Sequence, residues 1–267
     1  MAEKHRTYSK SGLERETLPL HPAVKLVNKD VVLPHDPTSE IIYQKPDLQE
    51  IPKAFVVIVS GGEDRERRYF KLLSNADRFE RIKIDFIADP NKLNPTGMLE
   101  IALLKNERLT TSHNEEDDPD RIYLVSDVDQ FMDELLEIKP VCSAEKLNLI
   151  ISNSCFEVWL YYAYHSDFPS FVINPVDIKK ISWKFKGWLP TVIRGGVKTN
   201  SAIYNIEQNI ENAKSNYRED QNGIPELFST NMYQLAEDLL PFIQPELNKL
   251  EVENKETEKK FRSKRNK

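Results

Sequence analysis

The sequence predicts an α/β fold in which a mainly parallel sheet is flanked by helices and followed by a C-terminal helical elaboration. Strand-like and helix-like segments alternate four times between residues 54 and 164, which implies right-handed crossovers between parallel strands. The first strand-like run is continuously apolar and rich in β-branched residues, as expected of a strand covered on both faces. Helical stripes return after residue 200, and they predict the elaboration.

The elements of the predicted sheet follow in a regular order along the chain. The predicted strands occupy residues 54–60, 81–87, 122–126 and 148–152. The predicted helices begin near Asp64, Asn94, Phe131 and Phe156. We expect the third helix to end at Pro140, because proline disrupts a helix interior. The fourth helix, over residues 156–164, is strongly apolar and therefore predicted to be buried.

After residue 165 the composition changes. Residues 174–190 are aromatic and basic, a composition that can stack bases and neutralise phosphates. They can equally form a packed loop whose lysines extend to solvent. Further on, Ala202, Ile206, Ile210 and Ala213 form a helical stripe. Ser229 and Thr230 can cap a last helix.

The chain is predicted to consist of three parts. Residues 1–50 mix charges with prolines and are expected to form a largely irregular arm. Residues 51–245 are expected to form the α/β domain, with a polar, acidic surface loop over residues 107–120. Residues 246–267 are expected to be a charged, flexible tail, because seven Lys or Arg face two Glu over residues 255–267.

Composition excludes several classes of protein. The net charge of −6 argues against non-specific coating of nucleic acid. No window is apolar enough for a membrane span, so no membrane partner is expected. Two cysteines without CxxC spacing predict neither a disulfide framework nor a zinc site, and a cytoplasmic location fits best. Only eight glycines leave little room for a phosphate-binding loop, which counts weakly against an enzyme of free nucleotides.

Asp127 and Asp129 are the most informative side chains, because they stand two apart where the third strand ends. Side chains at i and i+2 of an extended segment point the same way. They would project from the edge at which open α/β sheets bind ligands. Paired carboxylates suit Mg²⁺ or Mn²⁺. The alternative is that both are solvated turn and capping residues.

Other acidic residues are expected at the same edge, since successive βα turns of a parallel sheet share one face. The first turn offers Glu63 and Glu66, and the fourth offers Glu157, with Ser152 and Asn153 as polar support. Carboxylates gathered there are better explained by a divalent metal than by unrelieved repulsion. Such a site would polarise a phosphodiester and activate water.

Nearby basic residues have two interpretations. Arg65, Arg67 and Arg68 could contact phosphate oxygens or simply form the exposed face of the first helix. Cys155 could be considered a nucleophile, but no histidine lies at a position that suggests a catalytic partner. A small buried residue is the preferred interpretation of Cys155.

Four segments resemble the RloB-like family of bacterial defence-associated proteins: residues 59–70, the Ser-Asp-Val-Asp strand end, residues 152–160 and residues 230–235. The resemblance covers roughly residues 54–243. It implies a Toprim-like fold, Mg²⁺-dependent (or Mn²⁺-dependent) cleavage of DNA or RNA, and a partner ATPase of AAA or ABC type in antiphage defence. A homo-oligomer is compatible with it.

Two positions depart from the family pattern. Gly61 stands where the family tends to have a glutamate, and Ala163 where it usually has a histidine. We therefore expect Glu63 or Glu66 to complete the metal site or act as base, beside the metal ligands Asp127 and Asp129 and assisted by Glu157. The predicted nucleic-acid contacts are Arg65, Arg68, Lys180, Trp183, Lys184 and Lys186. The rival hypothesis is a non-catalytic effector or regulatory subunit of an ATPase complex, which Gly61 favours.

Overall fold

The computed structural model describes residues 54–74, 78–111, 121–171 and 180–265. For residues 108–111, 251 and 254–265 it describes the backbone only. Three predicted features lie outside these residues. They are the N-terminal arm over residues 1–50, most of the acidic loop (residues 112–120) and the first part of the aromatic, basic segment (residues 174–179).

The sheet has four strands, and all of its pairings are parallel, which confirms the predicted α/β class. The strands are β1 (Ala54–Ser60), β2 (Ile82–Ile87), β3 (Arg121–Asp127) and β4 (Asn148–Ser152), in the order β2-β1-β3-β4. Ser60 pairs with Val125 and Asp127 with Ser152. The carboxyl ends of β1, β3 and β4 therefore reach the same edge of the sheet.

Helices cover both faces of this sheet. They are α1 (Arg65–Leu73), α2 (Pro95–Thr111), α3 (Met132–Ala144), α4 (Glu157–Tyr162), α5 (Ile181–Val192), α6 (Thr199–Tyr204), α7 (Ile206–Ser215) and α8 (Met232–Arg265). One apolar core joins the sheet to α2 and α3. The other joins it to α1, α4 and the helices that follow α4. Among the described residues, no helix combines the length and the apolar character needed to cross a bilayer.

The positions of α1 and α3 create a crevice between β1 and β3. These strands are neighbours, but the helix that follows β1 packs on one face of the sheet and the helix that follows β3 packs on the other. Such a reversal of winding leaves space outside the carboxyl ends of the two strands. Open α/β sheets bind their ligands in this space.

The free side of β4 is covered by residues 229–231 rather than by another strand. The Ile151 amide donates to Asn231 Oδ1 at 2.6 Å, and Asn231 Nδ2 donates to the Leu149 carbonyl at 3.1 Å. The Asn231 amide in turn donates to the Ile151 carbonyl. Thr230 Oγ1 then accepts from the Met232 amide where α8 begins. Asn231 thus satisfies backbone groups that an edge strand would leave unpaired.

The prediction that α3 ends at Pro140 is wrong, because α3 continues to Ala144 with Pro140 inside it. Pro140 lies on the exposed side, whereas Leu135, Ile138 and Cys142 are buried at helical spacing. Burial of that apolar face stabilises the helix more than the missing proline N–H destabilises it.

Three further elements differ from the sequence prediction. The described part of the aromatic, basic segment is helix α5 rather than a loop. The stripe from Ala202 to Ala213 is split at Asn205 into α6 and α7. Helix α8 runs on through the segment predicted as a flexible tail, where Glu and Lys favour helix at i,i+4 spacing.

Candidate functional site

Three buried or half-buried carboxylates meet at the crevice between β1 and β3. Asp127 ends β3, Glu66 lies in the first turn of α1, and Glu157 begins α4. Glu66 and Glu157 are only 8% and 5% exposed. The charges of Glu66 and Glu157 both act on Asp127. We call these three residues the carboxylate cluster.

Gly62 allows Glu66 to reach this position. A Cβ atom placed on Gly62 would lie only 2.0–2.2 Å from the carboxyl group of Glu66. The Glu66 side chain thus folds back over the backbone of the turn after β1 and fills the space of a missing side chain. Glu63 and Glu66 were both candidates to take the role of the glutamate that is missing at position 61. Of the two, the fold brings Glu66 close to Asp127.

Negative charge is unfavourable within the carboxylate cluster. Burial is the main cause that raises the pKa of Glu66 to about 7, with a smaller contribution from the charge of Glu157. Burial also raises the pKa of Asp127 well above its usual range, followed by repulsion from Glu66 and Glu157. Desolvation disfavours the charged form of an acid, and so does a neighbouring like charge. The cluster is therefore able to accept a proton or a cation.

Two basic side chains balance part of this charge. Lys186 of α5 lies 3.3 Å from Glu157 Oε2, and Arg65 of α1 lies 3.7 Å from Glu157 Oε1. Burial disfavours the charge of Lys186, but its acidic neighbours, Glu157 first, raise its pKa overall. Both cations are nearly half exposed, so each can also face a ligand from solvent.

The carboxylate cluster opens onto solvent through two adjoining clefts. One, of about 410 Å³, is lined by Gly61, Gly62, Asp127 and the side chains around them. The other, of about 350 Å³, extends past Pro190 to the turn at Gly195 and Gly196. Arg65, Glu157 and Lys186 border both clefts. A ligand bound at the cluster could therefore continue along α5.

Asp129 lies beyond the strand that Asp127 ends, and its charge acts on Asp127 less than the charges of Glu66 and Glu157 do. Strand β3 ends at Asp127, and Asp129 adopts a φ of +26° in the following turn. The alternation of an extended chain, on which the paired prediction rested, therefore stops before Asp129. Instead, Asp129 is exposed, and Ser182 Oγ in the first turn of α5 donates to its Oδ1 at 3.2 Å. Ser182 was missed because its role depends on a contact distant in sequence.

The remaining predicted residues take other positions. Glu63 is exposed at the rim of the larger cleft. Ser152 and Asn153 have partners outside the cluster: Ser152 Oγ bonds to Thr230 Oγ1, and Asn153 Nδ2 donates to the Pro225 carbonyl. Four described residues do not line either cleft: Arg68, Lys180 and Trp183 are exposed, and Lys184 is half-buried.

Cys155 is fully buried, as the preferred interpretation expected. Burial raises the pKa of its thiol well above the usual range, and the charges of Glu157 and Asp127 raise it further. Since the thiolate is the nucleophile, a thiol held protonated in this way is inert.

Gly61 is fixed by close packing. Its amide donates to the Val125 carbonyl at 3.0 Å, which extends the pairing of β1 with β3. An added Cβ would lie 2.7 Å from the Leu93 carbonyl oxygen and 3.5 Å from Met98 Sδ. A glutamate here would require the chain before α2 to move, so the packing around this position fits a glycine.

The carboxylate cluster has the right chemistry for a hard divalent cation. Mg²⁺ favours oxygen ligands, keeps several waters and needs only one or two carboxylates. Asp127 and Glu66 supply such a pair, and their mutual repulsion favours a cation. Within the described ranges, however, no group of three or more His, Cys, Asp or Glu is arranged to hold a metal. The predicted set of Asp127, Asp129 and Glu63 is not assembled.

Comparison with known families identifies the chain. The model of the RloB-like protein family matches residues 56–239, which is more than half of the sequence. The chain belongs to the RloB-like family. The matched region of this RloB-like protein includes all three carboxylates of the cluster and the Asn231 contacts with β4. Searches of curated proteins and of solved structures found no match.

Proposed function

We propose that this RloB-like protein is a metal-dependent phosphodiester hydrolase of Toprim type that acts on nucleic acid. The observation that supports it most strongly is the position of the carboxylate cluster. Three acidic groups, two of which have raised pKa values, lie at the crevice where the winding of the sheet reverses, beside two cations. Acidic groups suit a divalent metal, and the cations suit phosphate oxygens.

Each residue around the cluster has a role in this proposal. Asp127 and Glu66 would hold Mg²⁺ or Mn²⁺. The metal would polarise the phosphodiester and lower the pKa of the attacking water. Arg65 and Lys186 would orient phosphate oxygens on the solvent side. Glu157, buried behind them, would hold both cations in place through its ion pairs.

The family resemblance supports a wider role in antiphage defence, together with an ATPase partner of AAA or ABC type. We include both in the proposal. The partner would control when substrate reaches the site, because both clefts open onto solvent.

A second candidate function is a non-catalytic effector subunit with a degenerate acidic site. Two observations favour it. Gly61, where the family resemblance leads us to expect a glutamate, is packed against Leu93, and no group of three metal ligands is assembled among the described residues. In that case the cluster would persist as a structural feature held by Arg65 and Lys186.

Cleavage of labelled DNA and RNA by the purified protein distinguishes the two functions. The reaction is run with Mg²⁺, with Mn²⁺ and with EDTA, and each condition is repeated with a candidate partner ATPase of AAA or ABC type. Metal-dependent products that disappear with EDTA support hydrolysis. An absence of products under every condition supports the effector subunit.

The contact between Gly62 and Glu66 gives a specific prediction. We expect Gly62→Ala to lower cleavage about as much as Glu66→Gln, because the new Cβ takes the space of the Glu66 carboxyl group. The double variant should lose little more cleavage activity than either single variant, since both changes remove the Glu66 carboxylate from the cluster. Cleavage rates at saturating metal measure this. Additive losses would show that Gly62 acts independently of Glu66.

A further inference from the structure

Trp183 is unusual among the aromatic side chains of the protein. Its indole is 74% exposed, whereas Trp159 is fully buried. Trp188, on the same helix, packs against Tyr161, Phe171 and Phe185. Within the part of the chain that the structure describes, no hydrogen bond or ring contact holds the Trp183 indole. Tryptophan is rarely left so exposed, and a large exposed apolar side chain can mark a binding surface.

Trp183 lies on the side of α5 that borders the candidate site. Residues three, four and seven positions apart on a helix share one face. Trp183 therefore shares its face with Lys186, Gly187 and Pro190. Lys186 pairs with Glu157, and Lys186 and Pro190 both line the smaller cleft. At the start of α5, Ser182 holds Asp129. The exposed indole thus continues the surface of the cleft.

Gly187 is the second unusual residue on this face. It lies inside a helix, where glycine is less stable than alanine. Its backbone has no left-handed conformation that would require glycine, and an added Cβ would meet nothing within 4 Å. Nothing inside the described protein therefore explains the glycine. A ligand that must approach the helix backbone closely would explain it, since glycine permits such an approach.

We propose that the face of α5 formed by Trp183, Lys186 and Gly187 binds a nucleic-acid strand that has an unpaired base beside the phosphodiester to be cut. Trp183 stacks on that base, and Gly187 admits the sugar–phosphate backbone. This inference rests on the proposed function and adds its substrate class. Aromatic side chains stack readily on the bases of single strands, whereas inside a duplex both faces of each base are already covered.

Charge supports nucleic acid as the ligand. The exposed Lys180 stands next to the start of α5, and Lys186 and Arg65 border the clefts. Because Glu63, Asp64, Glu66, Asp127 and Glu157 also line the larger cleft, attraction for phosphate is confined to these basic side chains and is not a property of the whole cleft. Cations along a strand together with an aromatic platform are the usual components of single-strand binding.

The test measures binding separately from cleavage. The full chain is titrated in EDTA with a fluorescent single strand, DNA or RNA, and with the matching blunt duplex. We expect tighter binding of the single strand. Trp183→Ala should weaken it about tenfold, in line with the loss of one stacked base, and Trp183→Phe should retain part of it. Tyr204→Ala, which removes an exposed aromatic ring from α6, is the matched control and should leave binding unchanged.

Gly187→Ala separates a ligand contact from an effect on folding. This change should raise the melting temperature, because alanine favours helix. It should nevertheless weaken binding of the single strand. A variant that is more stable but binds less tightly supports close approach of the strand at Gly187. Unchanged binding would contradict that approach.

The outcomes keep this inference distinct from the proposed function. Equal affinity for single strand and duplex, or no effect of Trp183→Ala, overturns the stacking surface even if metal-dependent cleavage is observed. Stacking that depends on Trp183, without cleavage under any metal, supports the surface and argues against hydrolysis. If Trp183→Ala leaves nucleic-acid binding unchanged but abolishes self-association in sedimentation, the indole serves a protein interface and the inference is wrong.

Discussion

Replacing Asp127 by asparagine is expected to lower metal-dependent cleavage by about 10²- to 10³-fold. A metal ion contributes several kcal/mol to the transition state of phosphodiester hydrolysis, and each factor of ten corresponds to about 1.4 kcal/mol. Asp127 is the acidic group on which both Glu66 and Glu157 act, so its loss should affect metal binding most strongly. Initial rates across a range of Mg²⁺ concentrations measure the effect.

Two comparisons make this result specific. Asp129→Asn should lower the cleavage rate much less than Asp127→Asn does, because Asp129 lies in the turn beyond β3 and accepts a hydrogen bond from Ser182. Asp133→Asn is the matched control, since Asp133 is an exposed acid in the first turn of α3. Its rate should equal that of the unaltered protein. If Asp127→Asn keeps that rate too, the carboxylate cluster does not carry the chemistry.

In EDTA, the free energy of unfolding should fall as the pH rises from 5 to 8. Burial raises the pKa of Glu66 to about 7, whereas the unfolded chain has the ordinary value of 4.5. The folded state therefore binds a proton at Glu66 more tightly than the unfolded chain does. The resulting contribution to the free energy of unfolding is fully present below pH 4.5 and is lost as the pH rises through 7. The loss should be about 2 to 3 kcal/mol for Glu66. Asp127, whose pKa is also raised, adds in the same direction.

Urea unfolding at several pH values measures this dependence, and Glu66→Gln isolates the contribution of Glu66. The variant cannot ionise, so its stability should vary less between pH 5 and 8. Mg²⁺ should raise the melting temperature more at pH 8 than at pH 5.5, because protons compete with the metal for the same oxygens. A protein whose stability is the same at both pH values, or equal stabilisation by Mg²⁺ at both, would contradict the charge state described for the cluster.

Most of the sheet could be predicted from the sequence, because its strands have patterns that few other structures share. Ala54–Ser60 forms β1 with the predicted bounds, since a short continuous β-branched run that ends at two glycines favours a strand covered on both sides. Pro140 shows the limit of such reasoning. Proline does disfavour a helix interior, but the packing of the apolar face of α3 against distant residues keeps the helix intact through Pro140.

The candidate site was predictable in its position but not in its members. Sequence placed acids at the carboxyl ends of β1, β3 and β4, and Glu66, Asp127 and Glu157 do lie there. It could not distinguish Glu66 from Glu63, because that depends on the space above Gly62. The position of Asp129 depends on one backbone dihedral angle beyond the strand. Both are three-dimensional facts that spacing along the chain does not contain.

The contacts of Asn231 with β4 limit how far the protein can be shortened. A form that ended before residue 229 would leave the Ile151 amide and the Leu149 carbonyl without their partners, one strand away from Asp127. Unpaired strand edges recruit other chains, so such a fragment would aggregate rather than report on the isolated sheet. The start of the last helix is therefore as necessary to the sheet as any of its four strands.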